Sequence, residues 1–155
     1  MVKALLDTST YIDIRRLEKS RRMPWARNTL RQAVEYRNHP GLFTLSSLTV
    51  FKLLEGLHRG RVPEAAARFS AEVLPDYEVL YPNKQITFLV AEINAALENA
   101  RQSIGIADVF IAATAISEEL TLVNANTKHL ARVQETGFPL RLDNWRDQAP
   151  SASPL

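Results

Sequence analysis

Four short apolar runs divide this chain, and the stretches between them have helical spacing. Val2–Leu6 ("VKALL"), Leu42–Leu45 ("LFTL"), Tyr77–Pro82 ("YEVLYP") and Leu120–Val123 ("LTLV") are too short to be helices and offer apolar side chains to both faces. A strand buried on both sides needs that composition. Between them, "DTST" ends the first run and opens a helix at Thr8 or Ser9. Trp25, Leu30, Ala33 and Val34 mark a helix over Pro24–Tyr36, and another runs from about Ser47 to His58. Pro63 sits where proline opens a helix, predicting Glu64–Leu74. Asn83 can cap a long helix Lys84–Arg101, with Ile86, Leu89, Val90, Ile93 and Leu97 on one face. A short helix follows "NANT", and Phe138–Leu142 ("FPLRL") is a last extended piece. Strands alternating with helices predict a parallel sheet wrapped by helices, an α/β sandwich.

The segment Ile104–Ile116 ("IGIADVFIAATAI") sharpens the reading. From Ala107 to Ile116 it is apolar all round except at Asp108 and Thr114, the pattern of a buried helix. An acid in its first turn would complement the helix dipole, worth roughly 0.3–1 kcal/mol, and taken alone needs no further reason. But Asp108 has company. Asp7 ends the first predicted strand, and Asn124 and Asn126 end "LTLV". In open α/β sheets ligands bind outside the carboxyl ends of the strands.

Two carboxylates close together in a dry pocket repel unless a cation joins them. Oxygen donors of this kind suit Mg²⁺ or Mn²⁺, held by one or two carboxylates and a substrate phosphate. Other chemistries lose support. The chain has no cysteine, so it offers neither disulfides nor zinc thiolates. His39, His58 and His129 lie on separate segments without ligand spacing, and no glycine-rich phosphate loop or nucleophile elbow occurs. Acids alone leave a metal nuclease and an aspartyl-phosphate or receiver domain both open. The latter usually set a second acid beside the first, whereas Thr8, Ser9 and Thr10 follow Asp7 here.

The 155 residues suit one domain, expected over residues 1–146 with an unstructured tail at 147–155. No signal-peptide pattern or membrane-length apolar run is present, so a soluble, cytoplasmic protein is expected. The formal charge is only +2, yet Arg15–Arg31 ("RRLEKSRRMPWARNTLR") carries most of the basic excess, with "HRGR" at His58–Arg61 behind it. Such clusters suit a solvated helix face and would also serve a polyanion. Trp25 and Trp145 read as packing residues rather than base-stacking platforms.

Taken together, "LLDTSTYI" (Leu5–Ile12), "TLSSLTVFKLLEGL" (Thr44–Leu57), "IGIADVFIAATAI" and "TLVNANTKHLARV" (Thr121–Val133) resemble the PIN-domain family, in particular the toxin ribonucleases of VapBC-type toxin–antitoxin systems. The resemblance extends from Val2 to about Trp145, where "GFPLRLDNW" looks like the family's closing strand. It implies a three-layer α/β/α sandwich around a short, mostly parallel sheet. It also implies acids that bind Mg²⁺ or Mn²⁺ and cleave RNA, with tRNA as the family-level substrate. A VapB-type antitoxin and a homodimer are the implied partners. Residue by residue, Asp7 matches the first-strand acid and Asp108 the acid opening "D-x-x-I-A-A". Asn126 stands where members carry Asp or Asn, Asn124 where they usually carry Ser or Thr, and Thr8 and Ser9 match the small polar residues after the first acid.

The second motif departs from the family. In "S-x-x-T-x-x-E-L-x-x-G-L" the glutamate position holds Lys52, and Glu55 follows one turn later on about the same face. Either Glu55 serves with Asp7, Asp108 and Asn126 in catalysis, or the site is impaired. A Lys52 pointing inward is expected to pair with Asp7, Asp108 or Glu55, standing in for a cation. The alternative function is then a PIN-like module that binds RNA or an antitoxin without cutting.

Overall fold

The computed structural model describes residues 2–147, so the tail expected beyond Arg146 lies almost wholly outside the described residues. Five parallel strands form the sheet in the order β3-β2-β1-β4-β5: β1 Ala4–Leu6, β2 Phe43–Ser46, β3 Tyr77–Leu80, β4 Thr121–Val123 and β5 Arg141–Asp143. The described helices are α1 Thr8–Leu17, α2 Ala26–Asn38, α3 Ser47–Arg59, α4 Pro63–Arg68, α5 Lys84–Asn99, α6 Ile106–Ser117 and α7 Thr127–Glu135. They cover both faces of the sheet, making the expected three-layer α/β/α sandwich, with every strand parallel rather than most of them.

Strand periodicity divides the core in two. Leu5 and Leu122 point to a layer built from α5, α6 and α7, where Ile93, Leu97, Val109 and Ile111 are fully buried. Ala4, Leu6, Leu45 and Val123 point the other way, toward Tyr11, Tyr36 and Trp145. Tyr36 is wholly buried, and its hydroxyl both accepts from Ala4 N (3.1 Å) and donates to Ala4 O (3.3 Å). Trp145 packs against Tyr36 and Phe43, and Trp25 lies under the Arg146 guanidinium at 4.5 Å.

Helix starts follow their caps. Ser46 accepts from Leu48 N, and Asn83 accepts from Ile86 N at 2.9 Å. The helix expected over Glu64–Leu74 stays regular only to Arg68; a wide turn over Phe69–Val73 and a tight one over Leu74–Asp76 carry the chain into β3. Pro75 cannot donate to a continuing helix, and Phe69 is drawn under Tyr11, ring edge to face at 6.1 Å. The long helix stops at Asn99, before Arg101 turns left-handed at φ 55°.

The carboxyl end of β5 is tied back to α1 and α2. Arg146 donates from Nε and Nη2 to Asp13, whose carboxylate is buried, at 2.6 and 2.7 Å. Asn28 Nδ2 donates to Arg146 O at 2.9 Å. Arg146→Ala would strand a buried carboxylate, so a loss of about 2–4 kcal/mol is expected in denaturant unfolding. A loss below about 0.5 kcal/mol would show that water serves Asp13 equally well.

Candidate active site

The sheet order reverses direction between β1 and β4, which lie side by side while their following helices leave to different parts of the fold. That is the crevice where α/β sheets bind ligands. Strand alternation decides what points into it. Two residues beyond Leu5 is Asp7, and two beyond Leu122 is Asn124, both directed toward the α6 layer. Asp7 N donates to Val123 O at 2.9 Å, fixing one strand end to the other. Ser9 Oγ accepts from Ala125 N and Thr10 Oγ1 donates to Val123 O, each at 3.0 Å. The residues after Asp7 thus pin the loop that carries Asn124 and Asn126.

Asp7 is 6% exposed. Its Oδ2 accepts from Asn124 Nδ2, while Asn124 Oδ1 accepts from Asn126 N at 2.5 Å. Its Oδ1 is buried with no hydrogen-bond partner, as are Thr8 Oγ1 and Thr49 Oγ1. Thr49 sits one turn before Lys52 on α3. Orphaned oxygens of this kind are rare in folded proteins and mark places where a water or ion belongs. Burial pushes the Asp7 carboxyl above its ordinary value. The Thr8 backbone N–H opposes this, the Asp108 charge adds to it, and Lys52 and Asn124 oppose it.

Asp108 comes from the first turn of α6, a helix buried at Val109 and from Ile111 to Ala115, with Phe110 partly buried between. Its Oδ1 accepts from Lys52 Nζ at 2.5 Å, and its Oδ2 lies 3.6 Å from His129 Nε2. Of the residues singled out in the sequence, the structure brings together Asp7, Asp108, Asn124 and Lys52, with Thr8 and Ser9 behind them. Asn126 stands at the rim, its side chain exposed at the start of α7. Glu55 is not brought in: its half-exposed carboxylate pairs with Arg59 at 2.6 Å, along the helix. The sequence sets His129 aside with His39 and His58 as lacking ligand spacing, yet the fold brings its ring to Asp108. The helix that begins at Thr127, directly after the Asn124–Asn126 loop, carries it back toward the acids, and that adjacency was the available signal.

Hard oxygen donors around a buried, unpartnered carboxylate oxygen fit a divalent cation in kind. They fit it sparingly. Among the described residues no three His, Cys, Asp or Glu side chains gather into a metal-holding group, and the Lys52 ammonium already sits on Asp108.

A family model described as "PIN domain" matches residues 4–135. The chain is 28% identical over 145 residues to "Ribonuclease VapC2" of Haemophilus influenzae, covering 94% of this chain and 99% of that relative. Among solved structures it is similar to VapBC-1 from nontypeable Haemophilus influenzae, with TM-score 0.72 and 25% identity over 93% of this chain and 98% of that one. It is also similar to DNA-bound VapBC from Salmonella typhimurium, with TM-score 0.70 and 25% identity over 94% and 99%.

A raised folded-state value for Asp7 contributes stability that is present below the unfolded value of 3.8 and lost as pH rises through the folded value. Asp7→Asn removes that titration. In EDTA the variant is expected to melt at a higher temperature than the parent at neutral pH, with the advantage shrinking as pH falls toward 3.8. An advantage that is constant with pH would contradict the assignment.

Proposed function

The chain belongs to the PIN-domain family, and from that premise we propose that it is the toxin of a type II toxin–antitoxin system, an endoribonuclease dependent on Mg²⁺ or Mn²⁺. The observation that carries this is the convergence of Asp7 from β1 and Asp108 from α6 at the sheet's switch point, with Asp7 Oδ1 buried and unpartnered. The kinship with a named ribonuclease over nearly the whole of both chains supports it.

Asp7 and Asp108 are the residues that would hold the ion. Two carboxylates suffice for Mg²⁺, which keeps several waters and accepts the substrate's phosphate as a further ligand. When bound, such an ion neutralises charge on the scissile phosphodiester and lowers the pKa of an attacking water. The chain's own groups do the rest. Asn124 holds Asp7 in one rotamer through its amide, and Asn126, at the rim, faces the approach of the strand. Lys52 pairs with Asp108 and competes with the ion for that carboxylate. Glu55, occupied by Arg59, stands outside this set.

The same Lys52–Asp108 pair favours a second reading: a slow cutter that chiefly binds RNA or an antitoxin. The basic run Arg15–Arg31, from the end of α1 into α2, suits RNA in either case, tRNA being only the class that the family resemblance implies. For the antitoxin, an apolar groove of about 420 Å³ opens between α1 and α3, walled by Tyr11, Ile12, Leu53, Leu57 and Phe69 and ending at Lys52. An amphipathic segment suits such a groove, and solved relatives named as VapBC complexes support a VapB-type partner and a homodimer. Among the described residues no helix is long and apolar enough to cross a membrane.

Cleavage of total cellular RNA with and without EDTA tests the reading. Parent protein should cut in Mg²⁺ and not in EDTA, and Asp7→Asn and Asp108→Asn should each lower the rate on the order of 100-fold or more. Cleavage unchanged in both variants would reject the site. RNA binding without cleavage in either metal would leave the second reading standing alone.

A further inference from the structure

On the side of Asp108 away from Lys52, a polar cleft of about 470 Å³ runs along α7. Its wall carries Lys128, His129 and Arg132 from α7, facing Gln102 on the turn after α5, with Asn126 at one end and Glu135 at the other. The cleft is continuous with the acidic centre, because Asn126 and His129 belong to both. His129 Nε2 is 3.6 Å from Asp108 Oδ2 while its ring also lines the cleft. Lys128 makes no ion pair or hydrogen bond among the described residues, so the fold has no internal use for its charge. Arg132 donates from Nη1 to Ser103 O at 3.1 Å, which engages one of its five N–H donors and steadies the guanidinium.

A polyanion approaching two carboxylates needs compensating charge beside them. Lys52 supplies it within the centre, and α7 supplies it along one side only. Lys128 and Arg132 are four residues apart, hence on one helical face, and the first turn of α7 adds the positive end of its dipole. Glu135 lies two turns further on, away from the acids. We propose that this cleft seats the RNA backbone phosphate adjoining the scissile one, with Lys128 and Arg132 as the groups that bind its oxygens and Gln102 as a further donor. The inference rests on the ribonuclease reading above. It makes Lys128 and Arg132 positioning residues that set substrate affinity and register rather than the chemical step.

The test is fluorescence anisotropy with a labelled single-stranded oligoribonucleotide in EDTA, over a range of salt concentrations, for the parent, Lys128→Glu, Arg132→Gln and a charge-matched control, Lys84→Glu, at the remote start of α5. Lys128→Glu and Arg132→Gln should each weaken binding about tenfold and flatten the slope of log K against log salt by about 0.7, the value for one lost single-strand phosphate contact. Lys84→Glu should do neither. In Mg²⁺ the two cleft variants should raise KM more than they lower kcat. Because Arg132 also holds the Ser103 carbonyl, Lys128→Glu, which breaks no internal contact, decides the matter if Arg132→Gln melts early. Unchanged affinity and slope in Lys128→Glu, in a parent that cuts RNA, would overturn the cleft and leave the ribonuclease reading intact. A parent that neither binds nor cuts RNA would overturn both.

Discussion

Two ionised carboxylates in a half-dry pocket repel until one takes up a proton or positive charge sits beside them, and in this protein that charge is Lys52 Nζ, 2.5 Å from Asp108 Oδ1. The pocket itself is fixed by topology. Pairing β1 with β4 sets Asp7 beside Asn124, and the buried α6 brings Asp108 to the same place with almost no freedom to move. The acids are therefore held together by the same burial that stabilises the sheet, whatever charge is available. At about 4 Å a unit pair is worth about 4 kcal/mol at an effective dielectric near 20. An ammonium at salt-bridge distance thus offsets much of the repulsion that would otherwise drive a proton onto one acid.

On the proposed ribonuclease reading, that arrangement trades stability against metal binding. A divalent ion entering the site must compete with an ammonium that is already paired and tethered to α3. An ion held as proposed by Asp7 and Asp108 would gain two carboxylates but no third, since Glu55 is turned to Arg59. Asp7 keeps one oxygen buried and without a partner, so the pair with Lys52 satisfies Asp108 and leaves half of the demand unmet. Lys52 and His129 meet Asp108 through different oxygens, Oδ1 and Oδ2, and Lys128 and Arg132 of α7 line the cleft that His129 shares.

Much of this was legible in the residues. Short runs apolar on both faces gave the parallel sheet, and Asp7 and Asp108 stood out because each sits at a strand end or helix head where a buried element should have no charge. Boundaries failed where tertiary contacts overrode local pattern: the helix after Pro63 breaks because Phe69 is drawn under Tyr11 and Pro75 follows. Side-chain direction was harder. Lys52 and Glu55 share a helical face in sequence, and only the position of α6 decides that Lys52 meets an acid while Glu55 meets Arg59. His129 went unread because nearness to Asp108 arises from the fold, not from spacing between histidines.

On the proposed reading, Lys52 occupies the charge position that a divalent ion would otherwise fill. Isothermal titration of Mg²⁺ into the parent and into Lys52→Glu, without RNA, tests it most directly. The substitution changes the local charge by two units and adds a donor carboxylate, so it should tighten binding by about two orders of magnitude or more, the parent binding only weakly. Tight binding in the parent that Lys52→Glu leaves unchanged would mean that the ammonium does not compete with the ion, and would contradict the account.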